Sequence, residues 1–135
     1  MLCHVHKMFE DDSVEALNRP IIEEEVLSTL RSFSPDKCSG PDGWPSEFYL
    51  FFFDQMGPLI TEVVEHTRMM GHMPINFNST FIALIQKSGE PYTFMDFKPI
   101  SLCNLIYKIS SKIIANRIKV TLEQHISLEQ YGFLK

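Results

Sequence analysis

Apolar residues recur at helical spacing along much of this chain, beginning with the stretch from 20 to 33. Its apolar positions 22, 26, 27, 30 and 33 form one stripe, and the glutamates at 23–25 suit the positive end of a helix dipole. Ser34 and Pro35 are expected to end this helix. A second, phenylalanine-rich helix is predicted to begin at Pro45. We expect Gly57 and Pro58 to break or kink it, before a helical stretch from 59 to 70.

The clearest helical pattern lies between residues 104 and 125. Apolar side chains at 106, 109, 113, 114, 118 and 122 are predicted to form its buried face. Lys108, Lys112, Asn116 and Lys119 recur on another face, at steps of four, four and three residues. A basic stripe of this kind can follow a phosphate backbone. It is also what an ordinary amphipathic helix shows to water, so both interpretations stay open.

Between these helices the pattern becomes extended. Residues 79–86 form a continuous apolar run with β-branched members, which predicts a strand buried on both faces. Pro99 keeps Lys98 out of the helical region, so residues 96–102 are predicted to pair with that strand as an antiparallel hairpin. Pairing would bring the ammonium groups of Lys87 and Lys98 into one space, which suits a triphosphate or a nucleic-acid backbone. Two unrelated surface lysines are the alternative.

Composition indicates a globular chain. It has 135 residues, 44% of them apolar and 21% charged, which suits one domain or part of one. No uninterrupted apolar run is long enough for a membrane span. Three widely spaced cysteines argue against a disulfide framework and fit a reducing compartment. Residues 1–19 are polar and irregular, so we predict a variable or disordered leader before a domain at 20–135.

The charge is divided unevenly. The net charge is −5, but residues 1–66 hold 13 acidic and 4 basic residues, whereas residues 67–135 hold 4 acidic and 8 basic ones. If the chain meets a polyanion, the second half is therefore expected to contact it.

The segment 37–45 predicts a structured turn, because it contains two glycines and two prolines. Its central residues are Gly40, Pro41, Asp42 and Gly43. The segment is not a P-loop, since no Lys-Ser or Lys-Thr pair follows. No second pair of ligands accompanies the cysteine and histidines at 3–6, so we predict no metal site.

Several sequence blocks, taken in order, resemble a known family. The blocks are EEV at 24–26, KCSGPDG at 37–43, EFY at 47–49, NSTFIALIQK at 78–87, DFKPISLCNLIYK at 96–108, ANRI at 115–118 and QYGF at 130–133. They cover roughly residues 21–135. The chain resembles the reverse transcriptase of LINE-type (non-LTR) retrotransposons, and it looks most similar to plant elements.

The resemblance implies an RNA-directed DNA polymerase with a hand-shaped domain. Residues 20–135 would be part of its fingers, a mostly helical α+β fold with a small antiparallel β-hairpin. The family's counterparts of Lys87 and Lys98 lie near the triphosphate of the incoming nucleotide. Template or backbone contacts are implied for Lys108, Lys112, Lys119, Gln130, Gly132 and Phe133. The family usually has arginine at the position of Lys98, and lysine lacks the planar fork that grips two oxygens.

The resemblance also implies RNA template, DNA primer and a deoxynucleoside triphosphate as partners of the parent enzyme. Its Mg²⁺ would be held by aspartates of the palm, which follows the fingers. This chain ends before those aspartates, so we expect it to bind no cofactor and to be inactive alone. The Phe-x-Asp-Asp sequence at 9–12 precedes the fingers and is not expected to be catalytic.

Two functions therefore stay open. One is a reverse transcriptase fragment, and the other is a non-catalytic remnant that binds nucleic acid or another protein. The parent element would work on nuclear DNA, although no basic localisation run is present in this sequence.

Overall fold

A computed structural model describes residues 11–35, 37–87 and 89–123. Within these ranges the chain forms five α-helices, two 3-10 turns and a two-stranded antiparallel sheet. The helices are α1 (Asp11–Asn18), α2 (Glu23–Arg31), α3 (Ser46–Phe51), α4 (Phe53–Met70) and α5 (Leu105–Glu123), and the strands are β1 (Thr80–Gln86) and β2 (Phe97–Cys103). The predicted α+β class with a small hairpin is confirmed. No described helix is long and apolar enough to cross a membrane.

The core lies where α2, α4 and α5 pack together. Each helix contributes the apolar stripe that its spacing predicts, and the largest fully buried side chains are Val26, Leu30, Val64, Ile109 and Ile113. The stripe of α5 is narrower than the sequence predicts. Ile114 and Ile118 are exposed, because they border an open cleft of about 390 Å³ between α5 and the end of α4.

The chain breaks between α3 and α4 at Phe52, and not at Gly57 and Pro58 as the sequence predicts. Phe52 leaves the helical region (φ −99°, ψ 17°), whereas α4 runs through residues 57 and 58. Pro58 lies in the second turn of α4, so its missing N–H costs one hydrogen bond near the helix start. Gly57 is buried beneath the Phe53 ring, and this packing outweighs the local preference for a break.

The predicted burial of β1 on both faces is wrong. Phe81 is 59% exposed and Ile82 is 69% exposed, and within β1 only Ala83 is half-buried. The described sheet has two strands, and β2 leads directly into α5. An apolar run therefore identified the strand correctly but not its environment.

The predicted irregular leader is partly helical, since α1 occupies residues 11–18. Arg117 of α5 fixes the connection between α1 and α2. Arg117 as a whole is 8% exposed. Its guanidinium donates hydrogen bonds of 2.6–3.2 Å to the carbonyls of Leu17, Arg19 and Pro20. It also pairs with the carboxylate of Glu25, at 2.6 and 2.9 Å. Helix α2 then begins at Glu23, three residues after the predicted start at 20.

Candidate nucleic-acid interface

The hairpin register places Lys87 and Lys98 on one face of the sheet. Lys98 pairs with Ile85, and the N–H of Lys87 donates to the carbonyl of Asp96 at 2.9 Å, which continues the ladder. Lys87 is therefore opposite residue 96, two positions from Lys98. Such diagonal neighbours share a face at a backbone separation of about 7–8 Å. The hairpin pairing expected from the sequence is thus present, and it places both lysines on one face.

The closed end of the hairpin holds the Lys87 side chain. Its ammonium donates to the carbonyl of Met95 at 2.8 Å. That segment is ordered by Asp96, whose carboxylate accepts the N–H groups of Tyr92 and Thr93 at 3.0 and 2.8 Å. These hydrogen bonds, led by the one from Thr93, lower the pKa of Asp96 below its usual range. Lys98 lies on the same face and is exposed, and its ammonium makes no hydrogen bond or ion pair within residues 11–35, 37–87 and 89–123.

The predicted turn at 40–43 anchors the base of the hairpin. Gly40 packs so closely on the chain between β2 and α5 that a Cβ there would lie 2.4 Å from the amide nitrogen of Asn104. Only glycine fits this approach. The turn closes through a hydrogen bond from the Gly43 N–H to the Gly40 carbonyl, at 3.0 Å, with Gly43 in the left-handed region at φ 75°.

Asp42 links this turn to its surroundings. Its N–H donates to the side-chain oxygen of Asn104 at 3.1 Å, and its carboxylate accepts the N–H of Trp44 at 3.3 Å. The Tyr49 hydroxyl donates to the same carboxylate at 3.5 Å. Burial, followed by the nearby Asp42 charge, raises the pKa of Tyr49 to about 12. The turn is therefore fixed to both α3 and α5.

A groove of about 430 Å³ lies between this turn and the hairpin. Ile100 and Leu102 of β2 form one wall, on the face that Lys98 continues, while Phe33 and Trp44 face it from the helical side. Trp44 is half-exposed and stacks on Phe48 with ring centroids 4.1 Å apart. The groove is also lined by Lys37 and Lys108. Aromatic and apolar walls beside cations suit the bases and phosphates of a single strand.

The basic stripe of α5 is tied to the helical body. The Lys108 ammonium donates to the carbonyl of Cys38 at 3.2 Å, and that of Lys112 donates to the carbonyl of Ser32 at 3.3 Å while lying 4.6 Å from the Phe33 ring centroid. Lys119 is half-buried two turns further along. Of the three α5 lysines predicted as template contacts, Lys108 lines the groove and Lys112 lies over Phe33, which also lines it. The ammonium groups of Lys108 and Lys112 also hold α5 to the α2–α3 connection.

Other predicted contacts lie outside the described residues. They are Gln130, Gly132 and Phe133. Sequence reasoning passed over Lys37 and Trp44 as groove residues, although they flank the glycine turn directly. The closeness of an aromatic and a cationic residue to that turn in the sequence could have indicated these two groove residues.

No group of three or more His, Cys, Asp or Glu in residues 11–35, 37–87 and 89–123 could hold a metal ion. The residues described therefore do not fit the catalytic Mg²⁺ that the resemblance implies for the parent enzyme.

Comparisons with known proteins connect this chain to mobile elements. The transposon TX1 uncharacterized 149 kDa protein from Xenopus laevis is 32% identical over 116 residues, which are 86% of this chain and 9% of that protein. The retrovirus-related Pol polyprotein from type-1 retrotransposable element R2 of Popillia japonica is 22% identical over 124 residues, 84% of this chain and 15% of that protein.

No protein-family model matches the chain. The two relatives come from Xenopus and an insect, so the similarity to plant elements stays a prediction. The chain spans less than a sixth of the length of either relative. Its homologues are non-LTR retrotransposon proteins, which confirms the mobile-element origin that the sequence blocks predict.

Proposed function

We propose that this chain is a fingers portion of an RNA-directed DNA polymerase from a non-LTR retrotransposon, one that contacts nucleotide and template. The observation that carries the proposal is the shared sheet face of Lys87 and Lys98 beside the groove of the glycine turn. The retrotransposon homologues support the same assignment.

In this proposal Lys98 neutralises phosphate oxygens of the incoming deoxynucleoside triphosphate. Lysine acts there as a compact point charge and not as a two-oxygen fork. Lys87 supplies a second positive charge from the closed end of the hairpin, where Met95 holds it. The chain's own residues bind and orient the substrate. The metal-dependent chemistry of the parent enzyme would belong to a palm domain outside the part described.

The groove would hold the RNA template next to that site. Trp44 offers a half-exposed ring, pre-oriented by its stack on Phe48, on which a base can stack. Lys37 and Lys108 would face the template backbone. Further contacts are proposed for Lys112, Lys119, Gln130, Gly132 and Phe133.

The fluorescence of Trp44 tests this proposal, because the chain contains one tryptophan. Titration with a single-stranded RNA oligonucleotide should quench that fluorescence, and affinity should fall as salt rises. The double variant Lys37→Ala/Lys108→Ala removes two lysines that line the groove. It should weaken RNA binding and reduce the log–log salt slope by about 1.4, at about 0.7 per contacted phosphate. Arg19→Ala is the control, since Arg19 is exposed and lies at the α1–α2 connection.

A second measurement separates nucleotide from template. Addition of dGTP without RNA should move the backbone amide resonances of residues 85–87 and 96–98, and Lys87→Ala/Lys98→Ala should abolish the shifts. Equal RNA affinity in wild type, Lys37→Ala/Lys108→Ala and Arg19→Ala, with no dGTP shifts at the hairpin, would contradict the proposal.

A further inference from the structure

Within the part of the chain that the structure describes, no strand pairs with the outer edge of β1. The bond from the Lys87 N–H to the Asp96 carbonyl sets the hydrogen-bonded pairs of the ladder at 87, 85, 83 and 81. The backbone groups of Thr80, Ile82, Leu84 and Gln86 therefore point away from β2. All four residues are exposed, and each offers both an N–H and a carbonyl.

The two edges of the sheet differ in their protection. Pro99 pairs with Leu84, a non-hydrogen-bonded position, so its missing N–H falls on the outer edge of β2. Pro99 therefore prevents another strand from hydrogen bonding to the middle of the β2 edge. Strand β1 has no proline and no charged residue from Thr80 to Gln86, and such an edge readily accepts another strand.

The sequence of β1 is self-complementary about Ala83. In an antiparallel pair of two β1 strands centred there, Phe81 faces Ile85, Ile82 faces Leu84, and Thr80 faces Gln86. Apolar residues thus meet apolar residues on both faces, and polar residues meet at both ends. The two Lys87 residues lie at opposite ends of the pairing, so no like charges meet.

We propose that the partner of this edge is a second copy of the chain, joined β1 to β1 as a four-stranded antiparallel sheet. A two-fold axis through Ala83 closes the assembly, because each copy uses the same edge. Dimerisation would also stabilise the sheet. An isolated two-stranded hairpin is marginally stable, whereas additional strands supply cross-strand partners for exposed Phe81, Ile82 and Leu84.

The mass in solution tests the dimer. Light scattering should show twice the chain mass of 15.6 kDa at high protein concentration, with dissociation on dilution. Leu84→Pro removes one outward N–H and leaves the β1–β2 bonds intact, so it should weaken dimerisation by about tenfold or more. Ser101→Pro is the matched control, because it removes an outward N–H on the β2 edge and should leave the dimer unchanged. Far-UV circular dichroism checks that both variants keep their helices.

Paired charges test the register. Ile82→Lys/Leu84→Lys places like charges opposite each other across the proposed axis and should yield monomers. Ile82→Lys/Leu84→Glu places an ammonium opposite a carboxylate at the same two positions and should restore the dimer.

Four results would overturn the proposal. Three of them are a wild-type monomer at every concentration, loss of the dimer in Ser101→Pro but not in Leu84→Pro, and equal behaviour of the two charge variants. The fourth is open-ended aggregates in place of dimers, because these would exclude the closed pairing. Nucleotide binding by a wild-type monomer would leave the proposed polymerase function standing while the dimer failed.

Discussion

Gly40 shows at the scale of one residue why the turn at 40–43 has its sequence. A Cβ at position 40 would lie within 2.6 Å of three backbone atoms of residues 103 and 104, none of which can rotate away. We expect Gly40→Ala to lower the free energy of unfolding by about 1–3 kcal/mol, as overpacking typically does. Urea denaturation measures the change. Gly43→Asn is the control, since asparagine tolerates the left-handed region and a Cβ at 43 meets nothing within 4 Å. Equal losses in both variants would contradict the close-approach argument.

Tyr49 gives a pH prediction at the same scale. Its pKa is about 12 in the folded chain against 10.0 ordinarily, so folding favours the protonated phenol. This contribution to stability is fully present below pH 10 and is lost as pH rises from 10 towards 12. Urea midpoints of wild type should therefore fall more steeply across that window than those of Tyr49→Phe, which cannot ionise there. Parallel curves for the two proteins would show that Asp42 and burial do not act on this hydroxyl as described.

At the scale of elements, Arg117 joins α5 to the start of α2. Removal of its guanidinium leaves three carbonyls without that donor. Among the described residues, the Glu25 carboxylate then keeps a 3.9 Å contact to exposed Arg19 as its one ion pair. Because a broken buried pair typically costs about 3–5 kcal/mol, Arg117→Ala should lower the free energy of unfolding by an amount of that order. Thermal and urea unfolding would measure it. Arg19→Ala, with a side chain 65% exposed, should change stability by less than about 1 kcal/mol. A loss of similar size in both variants would argue against the buried role of Arg117.

The helices and strands also show which structural features the sequence pattern could predict. The hairpin was predictable because Pro99 and a short β-branched run act locally, and α5 because its apolar spacing is long and regular. The break at Phe52 was not predictable, since it depends on how the Phe53 ring covers Gly57 in three dimensions. The exposure of β1 was also missed, because an apolar run does not reveal whether a second layer covers the sheet.

The candidate site also contains features that the sequence could predict and features that it could not. The shared face of Lys87 and Lys98 followed from hairpin pairing, which the sequence indicated. The groove did not, because Trp44, Lys37 and Ile100 meet only after the turn packs on the chain between β2 and α5. The carbonyl partners of Lys108 and Lys112 belong to the connection between α2 and α3, which is distant in sequence, so these contacts could not be predicted either.

At the scale of the whole molecule, a helical body carries a projecting hairpin whose basic face and groove lie together. Phosphoryl transfer by polymerases needs two metal ions clamped by carboxylates. The described residues contain no group of three or more His, Cys, Asp or Glu that could hold a metal ion. In the proposed function they would supply positioning alone, and positioning without charge neutralisation at the reacting phosphate leaves most of the barrier in place. We therefore expect the purified chain, given Mg²⁺, an RNA template with DNA primer, and deoxynucleoside triphosphates, to incorporate no nucleotide above a no-protein control. Primer extension with radiolabelled nucleotide measures this. Incorporation that disappears in Asp12→Ala would place catalysis at the Phe-x-Asp-Asp sequence at 9–12 and would contradict the proposal that this chain binds substrate without catalysing its reaction. Retained RNA quenching of Trp44 in the same preparation is the matching control, because it shows that a protein unable to extend a primer still holds its template.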